Sequence, residues 1–232
     1  MTTEMQYYKE HPTFHVAVDS IIFGFDQGEL KLLIHKRQFE PAQGEWSLFG
    51  GFVQRDESLD EAASRILFEH TGLRDIYMEE LQSYGEVSRD PAGRVISVAY
   101  FALIPAGEFT EAGHSKSGAT WASLKELPPL IMDHNLMVEK GLRRLKRRAA
   151  TQPIGFELLP GEFTVPQLQA LYEAIYQTEL DKRNFLKKIL ALDLLIKLDI
   201  KDKSSSRKGA YLYRFDQKKY IKLLEGGYNF TI

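Results

Sequence analysis

The sequence predicts an α/β (α+β) protein of two modules, with a small winged helix-turn-helix behind a larger front. Three observations carry that prediction. Strand-like runs flank one strongly signalled helix between Gly51 and Leu73. Periodicity lapses at residues 149–160, where Thr151, Pro153, Gly155 and Pro160 intervene. Beyond that break the order is helix, turn, basic helix and two-stranded hairpin. The break places the modules at residues 1–150 and 151–232.

Residues 14–25 read as a strand, with Val16 and Val18 ahead of the apolar run Ile21-Ile22-Phe23. Asp26-Gln27-Gly28 supplies a hairpin loop, and residues 30–35 return as the second strand. A loop with Pro41 and Gly44 follows, then the extended stretch 45–51, where Gly50-Gly51 permits close backbone approach. Ser58 with Glu61 three residues on is a capping box, so a helix starts at Ser58. Leu59, Ala62, Ala63, Ile66 and Leu67 recur at helical spacing until Thr71-Gly72 stops the run. Residues 76–87 and 95–104 read as strands about the turn chemistry of 89–94. Trp121, Leu124 and Leu127-Pro128-Pro129 form a short segment before Asp133, which is expected to cap a helix through Arg148. Leu136, Met137, Lys140, Leu142 and Leu145 lie along that helix.

In the second module Thr164 and Gln167 make another capping box, opening a helix with Leu168, Leu171, Tyr172 and Ile175. A three-residue turn follows. Asp181 caps the next helix, in which Phe185, Ile189 and Leu192 face inward and Lys182, Arg183, Asn184, Lys187 and Lys188 face outward. A strand at 194–198, a polar loop at 199–209 that includes the Ser204–Ser206 cluster, and a strand at 210–215 complete the hairpin. Arg207 and Lys208 fall near its tip. A basic helix of this kind fits the DNA major groove, with the hairpin tip against adjacent backbone. The aromatic sheet platforms and glycine-clamped loops of common RNA modules are not apparent.

Composition agrees with a soluble protein: 44% hydrophobic and 27% charged residues, and no apolar run of about 18 residues. The polar start gives no expectation of a signal peptide, so the expected location is cytoplasmic. With no cysteine, disulfides and thiolate chemistry are excluded. The net charge of −2 hides an asymmetry, because residues 178–222 hold thirteen Lys/Arg against six Asp/Glu. A basic tail on an acidic front calls for an anionic partner.

The spacing Gly51, Glu57, Arg65, Glu69 and Gly72-Leu73 resembles the Nudix box, and 45–51 resembles the segment that precedes it, with Phe49 where proline is usual. The resemblance implies a mixed-sheet α/β/α sandwich that holds Mg²⁺ against a pyrophosphate through glutamates on one helix. Here Ile66 and His70 stand where two of those glutamates are expected. Isoleucine offers no oxygen, and imidazole suits Mg²⁺ poorly. The expectation is therefore a scaffold with no catalytic residue, metal site or cofactor, although Glu57 and Glu69 remain. The alternative is a Mg²⁺-dependent Nudix pyrophosphohydrolase acting on nucleoside diphosphate derivatives.

With the winged helix, and with 153–160 and 163–185, the chain resembles the Nudix-related transcriptional regulators over nearly its whole length. That resemblance implies a homodimer whose operator binding is controlled by a small effector, either ADP-ribose-like or a pentose. Among its branches the arabinose-responsive one looks nearest, implying sugar sensing in carbohydrate metabolism. Candidate effector residues are Asp19, Arg37, Glu45, Trp46, Arg89 and Asp90, polar or aromatic groups at strand ends and loops. A neutral sugar favours the carboxylates, Arg and an aromatic face such as Trp46. An anionic nucleotide favours Lys36, Arg37 and Arg89.

Overall fold

The computed structural model describes residues 7–105, 118–203, 207–226 and 230. A seven-stranded mixed sheet is built around β1 (His15–Asp26). The first half of β1 pairs antiparallel with β4 (Phe49–Phe52), and its second half pairs antiparallel with β2 (Glu29–Lys36). Its other edge runs parallel to β6 (Val95–Pro105), which β5 (Met78–Tyr84) flanks antiparallel. On the far edge of β2 lie β3 (Trp46–Ser47) and β7 (Ala119–Ser123). Asp26 pairs with Glu29, so Gln27 and Gly28 alone make the turn. Both have positive φ, 50° and 80°, which matches the twist of the flanking strands.

Because β1 and β6 are buried on both faces, their side chains alternate between two apolar clusters. Val18, Ile22, Val98, Tyr100 and Ala102 share a cluster with Ala62, Ala63, Ile66 and Leu67 of α1 (Leu59–Thr71). Ile21, Phe23, Ala99, Phe101 and Leu103 share the other with Met137, Val138 and Leu145 of α2 (His134–Thr151). Helix, sheet and helix thus form the expected three layers. Ile66 is 1% exposed, and burying such a side chain favours folding by about 1.5–3 kcal/mol. The capping box of α1 is present in both directions: Glu61 N–H donates to Ser58 Oγ, and Ser58 N–H to Glu61 Oε2. Gly72, at φ 71°, ends the helix in the left-handed region.

α2 differs from its expectation at the start. Asp133 occupies the N-cap position, but its side chain caps nothing, because Arg89 holds it. Leu136, expected along the helix with the apolar residues, is exposed.

In the second module α3 (Val165–Tyr176) carries the Thr164–Gln167 capping box, and α4 (Lys182–Ala191) is capped by Asp181, which accepts from Asn184 N–H. Residues 177–181 connect the two helices, a longer link than the three-residue turn expected. β9 (Leu195–Asp202) runs four residues past its expected end and pairs with β10 (Ala210–Phe215). The expected loop is shorter in consequence, and Ser204–Ser206 lie outside the described residues. β8 (Phe163–Thr164) adds a third strand beside β10, and α5 (Gln217–Glu225) follows it. Neither β8, α5 nor β7 was expected from sequence. Leu158, Leu168, Leu171, Tyr172, Phe185 and Ile189 belong to the same buried cluster as the α2 face of the sheet. The two modules are therefore packed on one core across the break at 149–160. Among the described residues no helix is long and apolar enough to cross a membrane.

Candidate functional sites

β1, the loop after β2, the β3–β4 segment and the 85–94 turn converge on a cleft of about 150 Å³. Asp19, Arg37, Arg89 and Asp90, four of the six candidate effector residues, line it together. His35, Ser47, Phe39, Phe52, His70 and His134 line it as well. Glu45 and Trp46 are not among the lining residues. Glu45 is exposed, and Trp46 packs against the α2-side cluster with Lys36 over its ring. The exposed aromatic faces at the cleft belong instead to Phe39 and Phe52.

The floor is a buried charge network. Asp19 accepts from Ser97 Oγ at 2.5 Å. Arg89 donates through Nε and Nη2 to the two oxygens of Asp133, at 3.0 and 2.7 Å, with Asp19 Oδ2 at 3.5 Å from Nη2. Burial works against the Arg89 charge, but Asp133 and Asp19 outweigh it and raise its pKa. His134 Nδ1 accepts from Leu48 N–H at 3.1 Å, which places the imidazole proton on Nε2, 3.7 Å from Asp19 Oδ1. Gly50 is required beside this network, since a Cβ there would stand 2.2 Å from Asp19 Oδ1.

His35 stacks on Phe49 at one wall, with ring centroids 4.5 Å apart, and His70 packs tilted against Phe49 at 4.6 Å. His35 Nε2 is 3.2 Å from Leu48 O, so it carries the proton and donates. Burial first, then the neighbouring His70, lowers the His35 pKa from 6.5 to about 4. Burial lowers those of His70 and His134 as well. These folded values lie below the unfolded one, so the unfolded chain takes up protons first as pH falls. Stability is expected to decline as pH drops from 6.5 to about 4 and to level off below that for His35. Denaturant midpoints at about pH 7 and about pH 5 should show the decline, and His35→Gln should make it shallower. An unchanged slope in the variant would mean that His35 is not desolvated in the fold.

On the outer side of α1, Arg65 holds both remaining box carboxylates. Its Nε and Nη2 donate to Glu57 at 2.9 and 2.7 Å, Nη1 lies 3.3 Å from both Glu69 oxygens, and Nη2 also reaches Phe52 O. The Arg65 hydrogen bonds and then Gln54 N–H lower the Glu57 pKa from 4.5 to about 2. Ile66 points into the core, and His70 is part of the aromatic wall. Among the described residues no group of three or more His, Asp or Glu could hold a metal. A hard cation needs several oxygen ligands, and of the box carboxylates only Glu57 and Glu69 remain, both engaged by Arg65. The residues present do not fit the magnesium that a Nudix fold implies.

In the second module Lys182, Arg183, Asn184, Lys187 and Lys188 are exposed along one side of α4, while Phe185 and Ile189 anchor the other. Arg207 and Lys208 are exposed at the β9–β10 turn. Sequence reasoning missed Lys197 and Lys201 on β9, whose ammonium groups flank the Tyr211 ring at 3.7 and 4.6 Å. They lay in what was read as strand and loop, and only the lengthened β9 puts them on one face. It also missed His134, His35 and Ser97, whose partners are distant in sequence.

The fold and the two sites define a Nudix domain joined to a winged helix, and comparison with known proteins agrees. Residues 13–142 match the NUDIX domain family, and residues 155–215 match the NrtR DNA-binding winged helix domain. The ADPR responsive transcriptional repressor NtrR of Acinetobacter baylyi is 32% identical over 93% of this chain and 88% of its own length. Crystal structures of Shewanella oneidensis NrtR are similar too. The complex with a 27mer DNA has TM-score 0.80 at 30% identity, over 93% of this chain and 97% of that one. Its NUDIX domain with ADP ribose has TM-score 0.52 at 29% identity, over 62% and 99%. An ADP-ribose pyrophosphatase of Methanocaldococcus jannaschii is 36% identical over 57% of this chain and 75% of its own. The chain belongs to the Nudix-related transcriptional regulators, with an NrtR-like Nudix domain and winged helix.

Proposed function

We propose that this protein is a transcriptional repressor that answers to ADP-ribose or a closely related nucleotide and does not hydrolyse it. The observation that carries the reading is Ile66 buried in the core and His70 against Phe49 where two box carboxylates are expected, with Arg65 on the Glu57 and Glu69 that remain. A Nudix pocket that does not turn its ligand over can report occupancy instead. Residues 1–150 then form the effector module and 151–232 the DNA-binding module. The named relatives support ADP-ribose over arabinose as the effector, which moves the reading away from sugar sensing.

The cleft itself suits part of such a ligand. At about 150 Å³ it falls below the roughly 300 Å³ of a full small-molecule site, so it encloses one end of a nucleotide. Asp19 and Asp90 suit the hydroxyls of a pentose, Arg37 and Arg89 suit a phosphate, and Phe39 or Phe52 suits a base. In the second module α4 enters the major groove, with Lys182, Arg183, Asn184, Lys187 and Lys188 toward DNA and Arg207 and Lys208 on the flanking backbone. Two copies bind one operator, with half-sites about 10 base pairs apart or a multiple. A regulator of this kind acts in the cytoplasm.

The test is DNA-binding titration on the chain's own upstream region, with ADP-ribose or arabinose present or absent, beside an assay for AMP release. ADP-ribose at 100 times its Kd should stabilise the fold by about 2.7 kcal/mol, shift operator affinity and yield no AMP with Mg²⁺ or Mn²⁺. Turnover abolished by Glu69→Ala would establish the hydrolase reading that the Methanocaldococcus relative favours. Response to arabinose alone would restore the sugar branch.

A further inference from the structure

Five α-helices have N-termini among the described residues, and four are capped by their own N-cap side chains: Ser58, Thr164, Asp181 and Asp216. The exception is α2. Its N-cap Asp133 is a residue type well suited to capping, yet it makes no side-chain cap and has φ −96°, ψ 14° rather than extended geometry. Its carboxylate lies instead in a two-point ion pair with Arg89, whose side chain lines the effector cleft. The next residue, His134, is part of the cleft wall. At its other end α2 meets the winged module. Lys146 Nζ donates to Gln177 Oε1 at 2.8 Å, just past α3, and Leu145 and Ala149 share the buried cluster of Leu168 and Tyr172.

We propose that Asp133 is a positioning residue that holds Arg89 in the ligand-free state, and that an anionic effector group displaces it. A phosphate presents two oxygens to a guanidinium as a carboxylate does, and so competes for the same fork of donors. The displaced Asp133 turns to the amides of Asn135 and Leu136, the positions an N-cap side chain serves, and caps the helix, which has no side-chain cap in the ligand-free arrangement. Occupancy of the cleft thereby sets one end of the element whose other end rests on the DNA-binding module. In the ligand-free arrangement both Asp133 oxygens face Arg89 and neither caps the helix, so capping requires the side chain to turn away from the guanidinium. The expected coupling has the weight of one helix cap, about fivefold in affinity. This inference rests on the reading of the cleft as an effector site.

The test uses the full chain with ADP-ribose as probe and two variants. Asp133→Asn removes the charge but keeps a good N-cap, whereas Asp133→Ala removes both. Both should bind ADP-ribose about fivefold tighter or more, because Arg89 no longer has to be vacated. Only Asp133→Asn should carry the ligand-free operator affinity toward the value of the ADP-ribose-bound parent. In the unmodified chain, ADP-ribose should slow amide hydrogen exchange at Asn135 and Leu136, a readout that needs no variant to fold. Parental ADP-ribose affinity in Asp133→Asn, with exchange at those amides unaltered, overturns the switch while leaving the effector reading intact. A parent chain that binds no ADP-ribose overturns the effector reading and this inference with it.

Discussion

Arg89→Ala is expected to lower stability by about 3 kcal/mol, the lower end of the range for breaking a buried ion pair from one side. The Arg89 side chain is 3% exposed, and it alone stands between the Asp19 and Asp133 carboxylates, whose side chains are 10% and 20% exposed. Removing it leaves two like charges facing a cavity, with His134, whose pKa burial lowers, and Ser97 beside Asp19. The partial exposure of Asp133 lets water repair some of the loss, hence the lower end. In a protein of this size such a change corresponds to a fall of about 6–12 °C in Tm. Adding Asp133→Asn to the alanine variant should recover at least about 1 kcal/mol, since it removes one of the stranded charges. Calorimetry on the three proteins decides the matter. A loss below about 1 kcal/mol for Arg89→Ala, with no recovery in the double variant, would mean that the network is solvated.

What could be read from the chain and what could not divides along the range of the interaction. Ser58–Glu61, Thr164–Gln167 and Asp181–Asn184 are three residues apart, so the helix starts they set were legible before any fold was known. The two faces of β1 were implicit in Ile21-Ile22-Phe23, since a buried strand alternates between them. Asp133 shows the converse. Its position before an amphipathic run signals a cap, and a residue 44 positions away overrules that signal. His134, 86 positions from the Leu48 amide it binds, had no local sign of a role in the cleft. Trp46 looked like a sugar platform because an aromatic sits in a cleft-bound segment. The pairing of β3 with β2 turns it toward the α2-side cluster instead. Ile66 was legible as a missing ligand, whereas the capture of Glu57 and Glu69 by Arg65 needed coordinates.

Arg183→Ala is expected to weaken operator binding about 5–150-fold and to relax preference at one base position. Asp181 caps α4, so Lys182, Arg183 and Asn184 occupy its first turn, the part of a recognition helix that reaches base edges. All three are exposed, while Phe185 at 5% and Ile189 at 1% fix the helix by its opposite side. A guanidinium there can bind guanine O6 and N7 together, and the Asn184 amide can do the same for adenine N6 and N7. Lys187 lies one turn further along and suits phosphate, so Lys187→Ala should weaken all sequences alike. It should also reduce the slope of log affinity against log salt by about one unit per half-site. The wing gives a control of different character. Lys197 and Lys201 both lean on Tyr211, so Tyr211→Ala should disturb two ammonium groups without touching α4. Its effect should resemble that of Lys187→Ala, a loss spread over all sequences with no change in base preference. Anisotropy titrations at several salt concentrations, on operator and on scrambled duplex, separate these outcomes. Should Arg183→Ala and Lys187→Ala both bind as tightly as the parent with the same salt slope, α4 does not face DNA and the repressor reading loses its physical basis.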